Sequence, residues 1–111
     1  MHNFEITQVG YQTLRMLTRY MSQFIGLEDA LELAKNLVIT SQKKLLANPL
    51  SCPICHELEL IGVSDYRQLT IDKYKILYRV DNEGGGIYVT AFMRHKQSAK
   101  QLLIDHALLM H

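Results

Sequence analysis

The spacing of apolar residues changes several times along this chain of 111 residues. Between Phe4 and Val9, apolar and polar positions alternate, which predicts a short first strand before Gly10. From Tyr11 onward the apolar positions recur at helical spacing as far as Gly26, and glycine favours the end of a helix. The first part of the chain is therefore predicted to be a strand followed by a helix.

A second helical pattern begins near Glu28-Asp29, whose carboxylates suit the positive end of the helix dipole. It ends at Asn48-Pro49, because the residue before a proline disfavours helix. The predicted apolar face consists of Leu27, Leu31, Ala34, Val38, Ser41 and Leu45. Two amphipathic helices with so short a link predict an antiparallel helical hairpin.

Three strands are predicted after a loop over residues 48–61, which has room for a brief strand. They span about Asp65–Ile71, Lys73–Asp81 and Ile87–Arg94, and the glycine-rich run 81–86 predicts a hairpin between the last two. A final helix is predicted over about Ser98–Leu109. The fold class is therefore α+β: an N-terminal strand, an antiparallel helical hairpin, a three-stranded antiparallel meander and a C-terminal helix, with the helices expected on one side of the sheet.

Composition predicts one soluble domain over residues 1–111, since 48% of the residues are hydrophobic and 21% are charged. The first residues lack the pattern of a signal peptide, so we expect the protein in the cytoplasm. Residues 1–64 carry five Lys/Arg and six Asp/Glu, whereas residues 65–111 carry seven and five. This asymmetry is too mild for strong nonspecific binding of nucleic acid, so any cationic function requires local clustering.

Local clustering is what the predicted sheet provides. The middle strand directs Tyr74, Ile76, Tyr78 and Val80 to one face, predicted to be buried, and Lys73, Lys75, Leu77 and Arg79 to the other, predicted to be exposed. The cationic set is Arg67, Lys73, Lys75, Arg79, Arg94, His95, Lys96 and Lys100. Such a set suits phosphates, charge stabilisation in phosphodiester cleavage, or an acidic protein surface. His95 adds an imidazole, a side chain suited to general acid–base catalysis, although residues of this kind are usually solvated surface charges.

The run Cys52-Pro53-Ile54-Cys55-His56 matches the attachment pattern of c-type haem and resembles redox C-x-x-C pairs. Haem attachment requires export, the redox pair belongs in a thioredoxin-like unit, and zinc needs a fourth ligand. None of these contexts is indicated, so we interpret the run as a chance match and predict no metal and no cofactor.

The order of elements, together with several short motifs, resembles the RelE/ParE superfamily of toxins from type II toxin–antitoxin pairs. The most specific parts are Tyr66-Arg67-Gln68-Leu69, the strand 74–80 (YKILYRV) and the segment 92–97 (FMRHKQ), with Glu57-Leu58-Glu59 similar to a stretch of ParE-type members. The resemblance covers nearly the whole chain.

The resemblance implies one of two activities. RelE-like members cleave messenger RNA on the ribosome, and ParE-like members are associated with inhibition of DNA gyrase. As a nuclease, this chain would use Lys75, Arg79, His95 and Lys96, with Lys75 matching the strand arginine of the family. The chain departs from the RelE pattern, because it has Gln68 and Thr70 where lysines are usual and no tyrosine after Tyr88. We therefore expect a ParE-like, protein-binding toxin rather than an enzyme, with an inactive antitoxin-binding module as a further alternative.

The resemblance also implies partners. A cognate antitoxin is expected to bind across the hairpin and sheet, forming a toxin–antitoxin hetero-oligomer, and the target is DNA gyrase or, alternatively, the ribosome and its mRNA. Residues predicted to contact target or antitoxin are Arg67, Lys75, Arg79, Arg94, His95, Lys96, Leu102 and Leu103. Leu102, Leu103 and Leu109 are equally candidates for the core.

Overall fold

Four strands form one sheet in the computed structural model, which describes residues 3–106. The strands are β1 (Phe4–Ile6), β2 (Arg67–Ile71), β3 (Tyr74–Val80) and β4 (Ile87–Arg94), in the spatial order β1-β4-β3-β2. β1 runs parallel to β4, while the pairs β2–β3 and β3–β4 are antiparallel. The helices are α1 (Gln8–Ile25), α2 (Leu27–Ala47), the short α3 (His56–Glu59) and α4 (Ala99–Asp105). The predicted α+β class and order of elements are confirmed.

The first strand is shorter than predicted, because Thr7 begins a helix. Its hydroxyl accepts a hydrogen bond from the backbone N–H of Gly10 at 3.0 Å, the usual role of a threonine at a helix N-cap. Gly10 lies inside α1 and does not end β1. A Cβ atom at this position would lie 2.6 Å from the carbonyl oxygen of Val89, so glycine permits the close approach of α1 to β4.

The helical hairpin turns at Gly26, where φ is 86°. The predicted apolar face of α2 is correct at its C-terminal half, where Ser41 and Leu45 are buried, and wrong at its start. Leu27, next to the turn of the hairpin, is 63% exposed, and Leu31 one turn further along α2 is 55% exposed. The buried residues of α2 are Ala30, Leu37, Ser41 and Leu45.

The sheet has an apolar core on each face, which corrects the prediction that all helices lie on one side. The hairpin core packs α1 and α2 against Tyr74, Ile76, Tyr78, Ile87, Val89 and Phe92. The second core packs α3 and α4 against Leu77, Ala91 and Met93. In this second core, Leu58 of α3 and Leu103 of α4 are fully buried.

An irregularity in β4 assigns its residues to the two cores. Leu77 pairs with Ala91 whereas Tyr78 pairs with Val89, so Thr90 is an extra residue and forms a β-bulge. Val89 and Phe92 therefore face the hairpin, while Ala91 and Met93 face α3 and α4.

The C-terminal helix begins as predicted, with the hydroxyl of Ser98 accepting a hydrogen bond from the backbone N–H of Gln101 at 3.0 Å. Leu102 and Leu103 both lie in the second core, 7% and 0% exposed. Leu109 lies outside the described residues. No helix within residues 3–106 is both long and apolar enough to cross a membrane.

Candidate functional site

Three of the predicted cations meet at one end of the sheet. Asp72 and Lys73 form the tight turn between β2 and β3, with Asp72 at a φ of 51°, and His95 and Lys96 follow β4 directly. The backbone N–H of His95 donates to the carbonyl of Lys73 at 2.7 Å, which ties the two segments together. The side chains of Lys73, His95 and Lys96 are exposed.

These residues surround a cavity of about 670 Å³, which we call the basic cleft. Its basic lining residues come from both segments, and Met21 of α1 and Tyr74 of β3 also line it. The lining residues are Met21, Thr70, Asp72, Lys73, Tyr74, Arg94, His95 and Lys96. Four basic residues against one carboxylate favour an anionic ligand in this cleft.

Arg94 closes the basic cleft on the side of the hairpin. It pairs with Tyr74 in the sheet, and its guanidinium carbon lies 3.9 Å from the centroid of the Tyr20 ring of α1. This is a cation–π contact. The backbone N–H of Arg94 donates to the Gln97 side-chain oxygen at 2.8 Å. Both the side chain and the backbone of Arg94 therefore have contacts that fix this end of β4.

Lys75 does not join the basic cleft, and its predicted exposure is wrong. It is 7% exposed, because the face of β3 that carries it is covered by α3 and α4. The charge of Lys75 acts on the Glu57 carboxylate of α3. The middle strand therefore does not present the predicted exposed row of cations.

Glu57 binds the N-terminus of α4 with both carboxylate oxygens. It accepts hydrogen bonds from the Ser98 hydroxyl at 2.5 Å and from the backbone N–H groups of Ala99 at 2.8 Å and Lys100 at 3.1 Å. Burial alone would raise the pKa of this carboxyl, but these hydrogen bonds and the charge of Lys75 outweigh it and lower the pKa. Glu57 is thus ionised at neutral pH and holds α3 and α4 together.

Arg67 and Arg79 lie at the other end of the sheet. Arg67 donates to the carbonyl oxygen of Cys52 at 2.6 Å, and the guanidinium carbon of Arg79 lies 5.0 Å from the centroid of the Tyr88 ring. Both line a separate polar cavity of about 260 Å³. Arg79 is four residues from Lys75 on the same strand, a separation of about 13 Å at the usual rise of a strand.

The structure thus distributes the predicted site residues over three places. Arg94, His95 and Lys96 lie together, Arg67 and Arg79 lie at the opposite end, and Lys75 lies beneath the second pair of helices. Leu102 and Leu103 belong to the core, which leaves them almost no surface to offer a partner. Contact of Lys75 and the two leucines with a target or antitoxin stays a prediction.

The two cysteines are free thiols, and they differ in exposure. Cys55 is 1% exposed in the second core, and Cys52 is half-buried beside the β2 edge. Within residues 3–106, no three His, Cys, Asp or Glu side chains are grouped so that they could hold a metal ion.

Sequence reasoning missed Tyr20 and understated Glu57. Tyr20 lies on the helical pattern of α1, but its contact with Arg94 joins positions 74 residues apart and has no local signal. Glu57 was noted only as part of a motif, and its role depends on the fold bringing α4 next to α3.

The solved structures that this chain is similar to include toxin–antitoxin proteins. A chain in the chromosomal ParDE toxin–antitoxin system from P. aeruginosa matches with a TM-score of 0.66 and 23% identity, covering 85% of this chain and 96% of that one. The RelBE2 toxin–antitoxin complex from Mycobacterium tuberculosis matches with a TM-score of 0.59 and 17% identity over 83% and 95%. The isolated RelE toxin of E. coli matches with a TM-score of 0.52 and 16% identity over 99% and 98%.

No protein-family model and no curated protein matches this sequence. At these identities the structural matches show the fold, and that fold is the one of the RelE/ParE toxins. The resemblance read from the sequence is confirmed at this level.

Proposed function

We propose that this chain is the toxin of a type II toxin–antitoxin pair, that it acts in a ParE-like manner by binding DNA gyrase, and that a cognate antitoxin neutralises it. The toxin class is supported by the fold shared with ParDE and RelE proteins. The choice of a protein-binding action over RNA cleavage rests on one observation, the burial of Lys75 beneath α3 and α4.

RNA cleavage requires cations that converge on one phosphodiester group. Of the four residues that a nuclease would use, His95 and Lys96 line the basic cleft, whereas Arg79 lines the cavity at the other end of the sheet. Lys75 is buried on the face covered by α3 and α4, and Arg79 pairs with Tyr88 near the start of β4. Tyr88 and His95 are seven positions apart along the chain, so Arg79 lies about 20 Å from His95.

Induced expression tests the proposal when growth, transcript ends and plasmid supercoiling are scored in the same cultures. We expect growth arrest with loss of supercoiling and intact transcripts, and we expect co-expression of the antitoxin to restore growth. Truncated transcripts with normal supercoiling would instead identify a RelE-like nuclease. Normal growth would identify an inactive antitoxin-binding module.

A substitution at Lys75 distinguishes the two activities, because a nuclease would need the charge of Lys75 and a protein-binding toxin would not. Lys75→Met removes the charge and keeps an unbranched apolar chain that fits a buried position. We expect growth arrest to persist in this variant, whereas a nuclease that used Lys75 would lose its activity. Lys35→Met on the exposed face of α2 is the matched control, and circular dichroism confirms that both variants fold.

A further inference from the structure

The second helix of the hairpin, α2, carries exposed apolar side chains along its outer side. Leu31, Ile39 and Leu46 are all exposed, and we call them the α2 stripe. Ile39 is eight residues after Leu31 and seven before Leu46, close to two helical turns in each case, so the three lie in one row along the helix. Large apolar side chains in a row on a surface mark a place where another molecule binds.

A recess of about 340 Å³ lies beside the middle of the α2 stripe. The residues that line it are Phe4, Glu5, Ile6, Tyr11, Val38 and Gln42. Most of them are apolar, and they come from β1, α1 and α2. Because Val38 directly precedes Ile39, the recess lies at the same level of α2 as the centre of the stripe. The apolar surface is therefore wider than one row of side chains.

The charges of α2 are separated along the helix. Its acidic residues all precede its basic residues, in the order Glu28, Asp29, Glu32, Lys35, Lys43 and Lys44. We call the first three the acidic end and the last two the basic end. The helix dipole favours such charges in the first and last turns, and its influence falls off beyond them. Glu32 and Lys43 are exposed and lie outside those turns, so the dipole does not account for them.

An antiparallel second copy of α2 matches the apolar pattern. With a two-fold axis between Val38 and Ile39, perpendicular to both helices, Leu31 lies opposite Leu46 of the second copy. Ile39 then lies opposite Val38 of the second copy, beside the recess that Val38 lines. Each copy thus covers the α2 stripe of the other.

The same register brings opposite charges together. Glu32 lies two positions, about 3 Å along the helix, from the point opposite Lys43 of the second copy. At about 100° per residue, Glu32 and Lys43 lie on the same flank of the α2 stripe, and the two-fold axis places that flank of one copy beside the same flank of the other. Because the arrangement is symmetric, this contact between opposite charges occurs twice.

The order of charges favours a second copy over a partner of one charge sign. Nucleic acid or an acidic peptide would be repelled by the acidic end of α2, and a basic partner would be repelled by the basic end. A partner with the inverse order of charges suits both ends. An identical helix in antiparallel orientation has that order.

The helix is long enough for a specific contact. Its 21 residues span about 32 Å at the usual rise of a helix. Specific interfaces bury roughly 1,200–2,000 Å² in total, and one pair of helices with the adjoining recess belongs at the lower end of that range. We therefore expect association at micromolar concentration.

We propose that the outer side of α2 is a homodimer interface, in which the α2 helices of two copies pair antiparallel through the α2 stripe and through reciprocal contacts between Glu32 and Lys43. The dimer does not depend on the proposed function, because neither a target nor an antitoxin takes part in it. It forms through the side of the hairpin that faces away from the basic cleft and from Lys75.

Analytical ultracentrifugation of the full chain, made by cell-free synthesis, tests the dimer. We expect a monomer–dimer equilibrium whose dissociation constant rises with salt concentration, because the reciprocal contacts join exposed charges. Ile39→Asp places two carboxylates near the two-fold axis and should leave a monomer. Ile104→Asp on α4 is the matched control, since Ile39 is 41% exposed and Ile104 is 44% exposed, and it should dimerise as the unaltered chain does.

Charge reversal tests the antiparallel orientation. Glu32→Lys and Lys43→Glu should each weaken the dimer about tenfold, because each brings like charges together twice. The double variant Glu32→Lys/Lys43→Glu exchanges the two charges and should restore the affinity. In a parallel pair each residue would lie beside its own counterpart, so the double variant would restore nothing. Glu59→Lys makes an equal change of charge on α3 and should leave the dissociation constant unchanged.

Three results would overturn the proposal. The first is a chain that is still monomeric at about 0.5 mM. The second is a dimer that persists in Ile39→Asp, since the copies would then meet through another surface. The third is a double charge variant that stays as weak as the single ones while circular dichroism shows that all of them are folded.

Discussion

Glu57 links two helices that are 40 positions apart in the sequence, since α3 ends at Glu59 and α4 begins at Ala99. Three donors at the start of α4 converge on its carboxylate, so one side chain satisfies groups that a helix N-terminus otherwise leaves to water. The negative charge also suits the positive end of the helix dipole. The position of α4 on the sheet therefore depends on the ionisation of a residue in another helix.

Glu57→Gln should lower the free energy of unfolding at neutral pH by about 1 kcal/mol, the usual cost of weakening a helix cap. Urea denaturation measures this cost, and Glu59→Gln, an exposed neighbour on α3, is the control that should change little. An equal loss in both variants would remove the special role assigned to Glu57.

The lowered pKa of Glu57 predicts that the free energy of unfolding decreases as the pH falls into the acid range. Its pKa is lowered in the folded chain relative to the ordinary value of 4.5, so the unfolded chain binds more protons in the interval between them. The stabilising contribution is therefore complete above that ordinary value and is lost as the pH falls through the lowered one. In Glu57→Gln this part of the acid-induced loss of stability should be missing.

At the scale of elements, α1 is positioned by its contact with β4. Gly10 makes the approach possible, and Thr13 fixes it, since its hydroxyl accepts the backbone N–H of Phe92 at 3.0 Å and donates to the carbonyl of Gly10 at 2.8 Å. Both residues are buried. α1 is thus held against the strand that carries Arg94.

Gly10→Ala should destabilise the fold by about 1–3 kcal/mol, the usual cost of forcing extra volume into a packed site. The new methyl group would lie 2.6 Å from the Val89 carbonyl oxygen and 2.8 Å from Cγ2 of Ile6. Alanine favours a helix interior over glycine by about 1 kcal/mol, so propensity alone predicts the opposite sign. The melting temperature of Gly10→Ala shows which of the two effects is larger, the crowding of the methyl group or the helix propensity of alanine.

Gly84→Ala provides the comparison, since its nearest atom is the flexible Asp81 carboxylate at 2.9 Å. We expect a smaller change in melting temperature at this position. A stabilised Gly10→Ala protein would show that α1 can move away from β4 without cost.

The sequence predicted most elements because each has a local signal. Alternation located the three strands of the meander, and Gly26 and Asn48-Pro49 located the ends of the hairpin helices. The start of α1 was missed because the alternation of Phe4 to Val9 concealed the threonine cap. α3 is four residues long, too short to show a period.

The site was less predictable than the fold. His95 and Lys96 were adjacent in the sequence and remain together in the basic cleft, and Lys73 joins them through a strand turn. The burial of Lys75 depends on α3 and α4 packing across the far face of the sheet, and no periodicity within β3 shows what covers it. Pairing register likewise decided that Arg79 lies far from His95.

At the scale of the whole molecule, the sheet is shared by two apolar cores. β3 contributes Ile76 and Tyr78 to the hairpin core and Leu77 to the second core. Loss of either core would leave one face of the same strands without packing. We therefore expect the described part of the chain to unfold as one cooperative unit.

Truncation in either core tests this expectation. Leu45→Ala in the hairpin core and Leu58→Ala in the second core each remove a fully buried side chain, and each should cost about 2–5 kcal/mol. In both variants, the helical signal and the reactivity of the Cys55 thiol should change at one urea midpoint, because that thiol is buried in the second core. Separate midpoints for the two probes would show that the cores unfold independently.

The bulge at Thr90 has a consequence for where charge is displayed. Before the bulge, odd-numbered residues of β4 face the hairpin, and after it even-numbered residues do. This change of parity brings Arg94 to the ring of Tyr20 and Met93 to the second core. In a strand of unbroken parity the guanidinium would be directed toward α4 and the thioether toward α1. The one extra residue of the bulge therefore determines which face of the sheet carries the positive charge at the end of β4.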